Sequence, residues 1–134
     1  MINRRSVLVV EDDVVLCMAM GAALARRGYD TRTAHSVADG IDLASEQLPE
    51  LVILDISLPD GLGWSVLDGI RSVHPDSELS VVVATSDRIT RSQLREYQVQ
   101  RLISKPFDVS HMLETVSELL PLDEPFRPQA QPAR

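Results

Sequence analysis

Leu51-Val52-Ile53-Leu54-Asp55-Ile56-Ser57-Leu58-Pro59-Asp60-Gly61 is the stretch whose reading decides the fold. Its first four residues are apolar without alternation, which suits a short strand covered on both faces, as in a parallel sheet. Pro59 and Gly61 then mark a loop. Asp55 stands where the strand stops, and in an open parallel sheet chemistry gathers at the carboxyl ends of the strands.

The same grammar repeats on either side. Val7 to Val10 is a β-branched run followed by Glu11-Asp12-Asp13, and Val14 to Arg27 reads as a helix closed by Gly28. Thr31 to Ala34 is a second strand. Ser36 can cap a helix from Val37 to about Gln47, which Pro49 closes. Beyond the Asp55 loop come a helix over Trp64 to Val73, a strand over Leu79 to Ala84, a helix over Arg88 to Tyr97 and a weaker strand over Val99 to Ile103. Asp108 can cap a last helix whose apolar stripe is Met112, Leu113, Val116, Leu119 and Leu120. Five βα units in series predict a doubly wound α/β domain: a five-stranded parallel sheet with right-handed crossovers and five helices on its two faces.

Composition agrees. At 134 residues, 44% hydrophobic but only 4% aromatic, the chain can build one core, mostly of Val, Leu, Ile and Ala. A formal net charge of −7 argues against a nucleic-acid binder. Cys17 is the single cysteine, so no internal disulfide forms, and its apolar neighbours suggest plain packing. Val14 to Ala25, the longest uncharged stretch, is too short to span a bilayer. Arg4-Arg5 before Val7 to Val10 has the flavour of a signal peptide, but three acids cut that run short, so a cytoplasmic location is expected. Residues 1–120 are expected to be the domain. Residues 121–134, with Pro121, Pro125, Pro128 and Pro132, read as a flexible Pro-rich tail. No output domain is expected after it, and output is expected through protein contact or phosphate relay.

Three strand ends carry matching chemistry: Glu11-Asp12-Asp13, Asp55, and Lys105-Pro106 after Leu102 to Ser104. In parallel strands these groups converge. Clustered acids repel one another unless a cation offsets them, and an all-oxygen site with open water positions suits Mg²⁺, or Mn²⁺ in its place. Carboxylates at Glu11, Asp12 and Asp55 are balanced by one divalent ion and the Lys105 ammonium, leaving a cleft that admits a phosphoryl group. Asp55 is then the nucleophile, since a carboxylate can form an aspartyl-phosphate. Lys105 and the Thr85 hydroxyl would meet the phosphoryl oxygens. Asp12 is the expected direct ligand and Glu11 the outer one, while Asp13 is free to cap the first helix.

These motifs, Val-Val-Glu11-Asp12-Asp13, Leu-Asp55-Ile-Ser-Leu-Pro59-Asp-Gly61, Ala84-Thr85-Ser86 and Lys105-Pro106-Phe107, together resemble the receiver domain of two-component response regulators. The resemblance covers Val7 to about Leu120 and implies a flavodoxin-like fold with strand order 2-1-3-4-5. It implies that Asp55 accepts phosphate from a phosphohistidine on a histidine kinase or histidine phosphotransfer protein, and that Asp12, Asp55 and the backbone carbonyl of Ser57 hold Mg²⁺. It further implies a phospho-acceptor rather than an enzyme, signalling to an effector protein through helix four, strand five and helix five. The family's aromatic switch position, three before Lys105, is Leu102 here, and Val99-Gln100-Arg101 lacks the small Gly-Ala step of many members.

Arg88, Arg91 and Arg95 recur at helical spacing in an acidic protein and are expected to share a helix face that docks an acidic partner. Two other functions fit parts of the pattern. A pseudo-receiver would keep the fold and the contacts but never be phosphorylated. A phosphatase of the haloacid dehalogenase type would need a second acid two residues after the nucleophile, where this chain has Ser57. Kinase, effector and oligomeric state, including a phosphorylation-dependent dimer, are left open.

Overall fold

The computed structural model describes residues 5–122. The Pro-rich tail expected over residues 121–134 lies, beyond Leu122, outside the described residues. Five parallel strands form one sheet: β1 (Ser6–Val10), β2 (Asp30–Ala34), β3 (Leu51–Leu54), β4 (Ser80–Thr85) and β5 (Arg101–Ser104), in the order β2-β1-β3-β4-β5. The helices are α1 (Val14–Arg27), α2 (Val37–Glu46), α3 (Trp64–Val73), α4 (Arg91–Glu96) and α5 (Val109–Leu119). This is the doubly wound arrangement expected from the alternation of patterns.

Side chains alternate across each inner strand and so divide the core in two. Val7, Val9, Leu51, Ile53, Val82 and Ala84 pack with Cys17, Met20 and Leu24 of α1 and Met112 and Val116 of α5. Leu8, Val10, Val52, Leu54, Val81 and Val83 pack with Ala44 of α2 and Val66, Leu67 and Ile70 of α3. Both faces of β1, β3 and β4 are thus covered, which is why their sequences are apolar without alternation. Register brings the carboxyl ends level: Val10 pairs Leu54, Leu54 pairs Val83, and Thr85 pairs Ser104. Whatever follows these residues is delivered to one edge of the sheet.

Caps fix where the helices begin and end. The Asp13 carboxylate accepts from Leu16 N at 3.1 Å and the Ser36 hydroxyl from Asp39 N at 3.1 Å, as their positions suggested. Gly28 closes α1 at φ 107°, a left-handed conformation that favours glycine, and its N–H donates to Ala25 O and Leu24 O. Asp108 has the backbone of a cap residue, but its side chain makes no capping hydrogen bond. Cys17 is fully buried, its Sγ 3.9 Å from Ala34 O. Burial, with the Glu11 and Asp13 charges nearby, pushes its thiol pKa up to about 11.

Beyond shifts of one residue, as at β2 and β4, two elements differ from the sequence expectation. Helix α4 starts at Arg91, not Arg88, because Thr90 and Gln93 form a reciprocal capping box: Thr90 Oγ1 accepts from Gln93 N at 3.0 Å and Gln93 Oε1 from Thr90 N at 2.9 Å. Strand β5 spans Arg101–Ser104 rather than Val99 to Ile103, since the chain leaving α4 first turns through Gln98 at φ 54°. No helix among the described residues is long and apolar enough to cross a membrane.

Candidate functional site

The loops after β1, β3, β4 and β5 meet at the carboxyl edge of the sheet. Glu11 follows β1 and is buried, its N–H donating to Ala34 O at 2.9 Å and its Oε2 accepting from Asp13 N at 3.0 Å. Asp55 follows β3, also buried, held by its N–H to Val10 O at 3.0 Å, and its Oδ1 accepts from Ser57 N at 3.3 Å. Asp12 is exposed beside them. One carboxylate oxygen from each of Glu11, Asp12 and Asp55 lies within 4.8 Å of the others.

Lys105 enters from β5. Its N–H donates to Thr85 O at 3.0 Å, which ties the ends of β4 and β5 together. Its Nζ lies 2.6 Å from Glu11 Oε1 and 2.7 Å from Asp55 Oδ2, bridging the two buried acids. Thr85 is buried at the end of β4, its Oγ1 accepting from Asp87 N at 3.1 Å. The residues named from the sequence as Asp55, Glu11, Asp12, Lys105 and Thr85 are therefore brought to one place by four strand ends.

The electrostatics follow from burial. Loss of hydration raises the Glu11 carboxyl above its ordinary value. The Lys105 ammonium and the Asp13 N–H work against that rise, and the Asp55 charge adds to it. For Lys105 burial alone would lower the ammonium's pKa, but its hydrogen bonds to Asp55 and Glu11 outweigh this and hold it above the ordinary lysine value. Three carboxylates against one ammonium leave the pocket negative. Hard oxygen donors on one side of an open mouth fit a divalent cation such as Mg²⁺, with room for water or a phosphoryl oxygen.

Two contacts escaped sequence reasoning. Ser57, singled out for its backbone carbonyl, also donates from Oγ to Asp87 Oδ2 at 2.6 Å, joining the loops after β3 and β4. Asp87 lies two residues beyond Thr85, so the same attention to strand ends would have found it. His35 Nδ1 is 3.0 Å from Glu11 O, which places that histidine at the rim. Beside Lys105, Leu16, Ser86, Pro106 and Phe107 line an open cleft of about 360 Å³. Val15 and Met18 of α1, the helix that carries Leu16, are also exposed.

The expected arginine face is only partly assembled. Arg91 and Arg95 are exposed one turn apart on α4. Arg88 is exposed too, but it lies ahead of the Thr90 cap, so helical spacing does not place it with the other two. Leu102 points outward from β5, 40% exposed.

Residues 7–117 match the family described as response regulator receiver domain. The chain belongs to that family. Its relatives include the photosynthetic apparatus regulatory protein RegA of Cereibacter sphaeroides, 32% identical over 120 residues, covering 87% of this chain and 65% of RegA. This chain thus spans just under two thirds of that relative. The polar-differentiation response regulator DivK of Brucella abortus is 27% identical over 118 residues, covering 87% of this chain and 96% of DivK. Among solved structures, the response regulator TrrA of Thermotoga maritima, in complex with Mg²⁺ and BeF, superposes with a TM-score of 0.73 at 27% identity, covering 87% of this chain and 99% of TrrA. Receivers are phospho-acceptor signalling domains of two-component systems rather than conventional enzymes, and the cluster of Glu11, Asp12 and Asp55 is typical of their acidic phospho-accepting pocket. Membership sets aside the dehalogenase-type phosphatase.

Proposed function

We propose that Asp55 accepts a phosphoryl group from the phosphohistidine of a kinase or histidine phosphotransfer protein, and that the modified chain signals by protein contact. The observation that carries this reading is the Lys105 ammonium seated 2.6 Å from Glu11 and 2.7 Å from Asp55 at the rim of an acidic pocket. A carboxylate oxygen of Asp55 would attack phosphorus as the phosphorus–nitrogen bond to the donor histidine breaks, the electron pair leaving with the imidazole. Asp12, Asp55 and the Ser57 carbonyl would hold Mg²⁺, which when bound offsets charge on the phosphoryl oxygens. Lys105 would transfer its hydrogen bonding to one phosphoryl oxygen and Thr85 would donate to another; the Lys105 ammonium already meets Asp55, and Thr85 is anchored at the end of β4 by the bond its Oγ1 accepts from Asp87 N.

A donor histidine reaches Asp55 only by covering the rim. The apolar cleft of Leu16, Pro106 and Phe107, with exposed Val15 and Met18 on the same helix as Leu16, suits the helices of such a donor. An effector would instead meet the face of α4, β5 and α5, where Arg91, Arg95 and Leu102 are exposed. Residues 1–120 would form this cytoplasmic receiver unit and 121–134 a Pro-rich extension.

The test is phosphorylation with a small-molecule phosphodonor and Mg²⁺, read by intact mass. The expected result is one phosphoryl group on the wild-type chain, none on Asp55→Asn, and strong reduction when EDTA replaces Mg²⁺. A wild-type chain that takes up no phosphate from small-molecule or protein donors would be a pseudo-receiver, and the reading would fall.

A further inference from the structure

We infer that the stacked pair Trp64 and Tyr97 carries the state of Asp55 to helix α4 in this chain. The inference rests on Asp55 being the acceptor. It begins with how weakly α4 is held. The helix has six residues and no buried side chain. Its surroundings attach to the core through partly buried Ile89 before it and Tyr97 and Val99 after it. An element with so little buried surface can shift at small cost, and a modest differential contact decides its position.

Tyr97 makes two specific contacts. Its ring stacks on Trp64 with centroids 4.3 Å apart and planes inclined by 13°. Its carbonyl accepts from Arg71 Nη1 of α3 at 2.6 Å. The next residue, Gln98, is held at φ 54°, so the end of α4 is fixed in a conformation that a non-glycine residue resists. Tyr97 is therefore a tether from α4 to α3.

Trp64, the other half of the stack, is mechanically close to the acceptor. It opens α3 directly after Gly63, whose N–H donates to Ile56 O at 2.7 Å. A Cβ at position 63 would lie 2.1 Å from Asp55 O, so the start of α3 is pressed against the Asp55 backbone with no slack between them. Movement of the Asp55 loop on gaining a charged group passes through Gly63 to the indole and from there to Tyr97. On strand β5, Leu102 points out to solvent and carries no ring to make a comparable stack. Arg91 and Arg95 ride on the helix that the stack positions, so the coupling sets the presentation of that charged surface.

Hydrogen exchange with Mg²⁺ and beryllofluoride, a phosphoryl mimic, tests the path, while intact mass after a phosphodonor monitors Asp55 separately. In the wild type, the mimic should change protection over residues 88–100. Tyr97→Ala should still gain phosphate but lose at least three-quarters of that change, and Tyr97→Phe, which keeps the ring, should restore it. A Tyr97→Ala chain that is phosphorylated and still shows the wild-type response over 88–100 overturns the inference. So does a wild type that is phosphorylated without any response there. Absence of phosphate on the wild type would instead bring down the acceptor reading, and this inference with it.

Discussion

Strands β3 and β5 have four residues each, and each delivers a charged residue to the same pocket, Asp55 and Lys105. All four residues of β3 are buried, whereas of β5 only Ile103 is. The difference lies in their neighbours. Strand β3 is flanked by β1 and β4 and covered by helices on both faces. Strand β5 is at the edge, with Ile103 turned into the core beside α1 and α5. The proposed acceptor is thus built into a strand buried along its whole length, and its charge partner hangs from a looser one. If Asp55 is the nucleophile we propose, the pocket holds it still on one side and can report its modification through the other.

The largest effect should come from cutting into the constrained side. Ile53→Ala is expected to cost about 2–5 kcal/mol in urea denaturation, from lost burial and the cavity left behind. Leu102→Ala on β5 should stay within about 0.5 kcal/mol of wild type. Equal costs would erase the contrast between the strands. Within the pocket, Asp12→Asn removes one of three clustered charges, so it should raise the stability of the EDTA-treated chain by about 1 kcal/mol. The same change should abolish most of the rise in thermal midpoint that Mg²⁺ gives the wild type, measured by calorimetry.

On the looser side, Gln98→Gly relieves the left-handed strain at the end of α4 and should stabilise by about 0.5 kcal/mol, the relief being partly offset by the entropy of glycine when unfolded. A loss of stability would mean that the Gln98 side chain contributes more than its backbone costs. A change of pH probes the constrained core again. Burial raises the Cys17 thiol from 9.0 to about 11, so its contribution is fully present below pH 9.0 and is lost as pH rises toward 11. The stability of the wild type should therefore fall more steeply than that of Cys17→Ala between pH 9 and 11. Parallel curves would show that the thiol ionises as easily folded as unfolded.

How much was legible in the sequence follows the same division. Buried strands announce themselves because covering both faces forces Val, Leu and Ile into continuous runs, and the ends of those runs located Glu11 and Asp55, whereas Lys105 follows the weaker edge pattern Leu102 to Ser104. Asp13 and Ser36 could be assigned as caps because their partners are three residues away. The boundaries of α4 and β5 were missed because they depend on a capping box competing with an arginine pattern, and on a residue other than glycine taking a positive φ. The Ser57–Asp87 bond and the Trp64–Tyr97 stack join residues about thirty apart. Pairings of that kind are set by how strands are ordered, and no local periodicity encodes them.

The Tyr29 hydroxyl donates to Leu120 O at 2.8 Å, fastening the end of α5 beside the start of β2. Strand β1 also begins there, pairing Ser6 with Asp30. Both ends of the described chain therefore depart from the pole opposite Asp55. A fluorescent label, affinity handle or surface tether can be joined at Leu122 or ahead of Arg5 without crowding the mouth of the pocket, and an immobilised chain would present its reactive end outward.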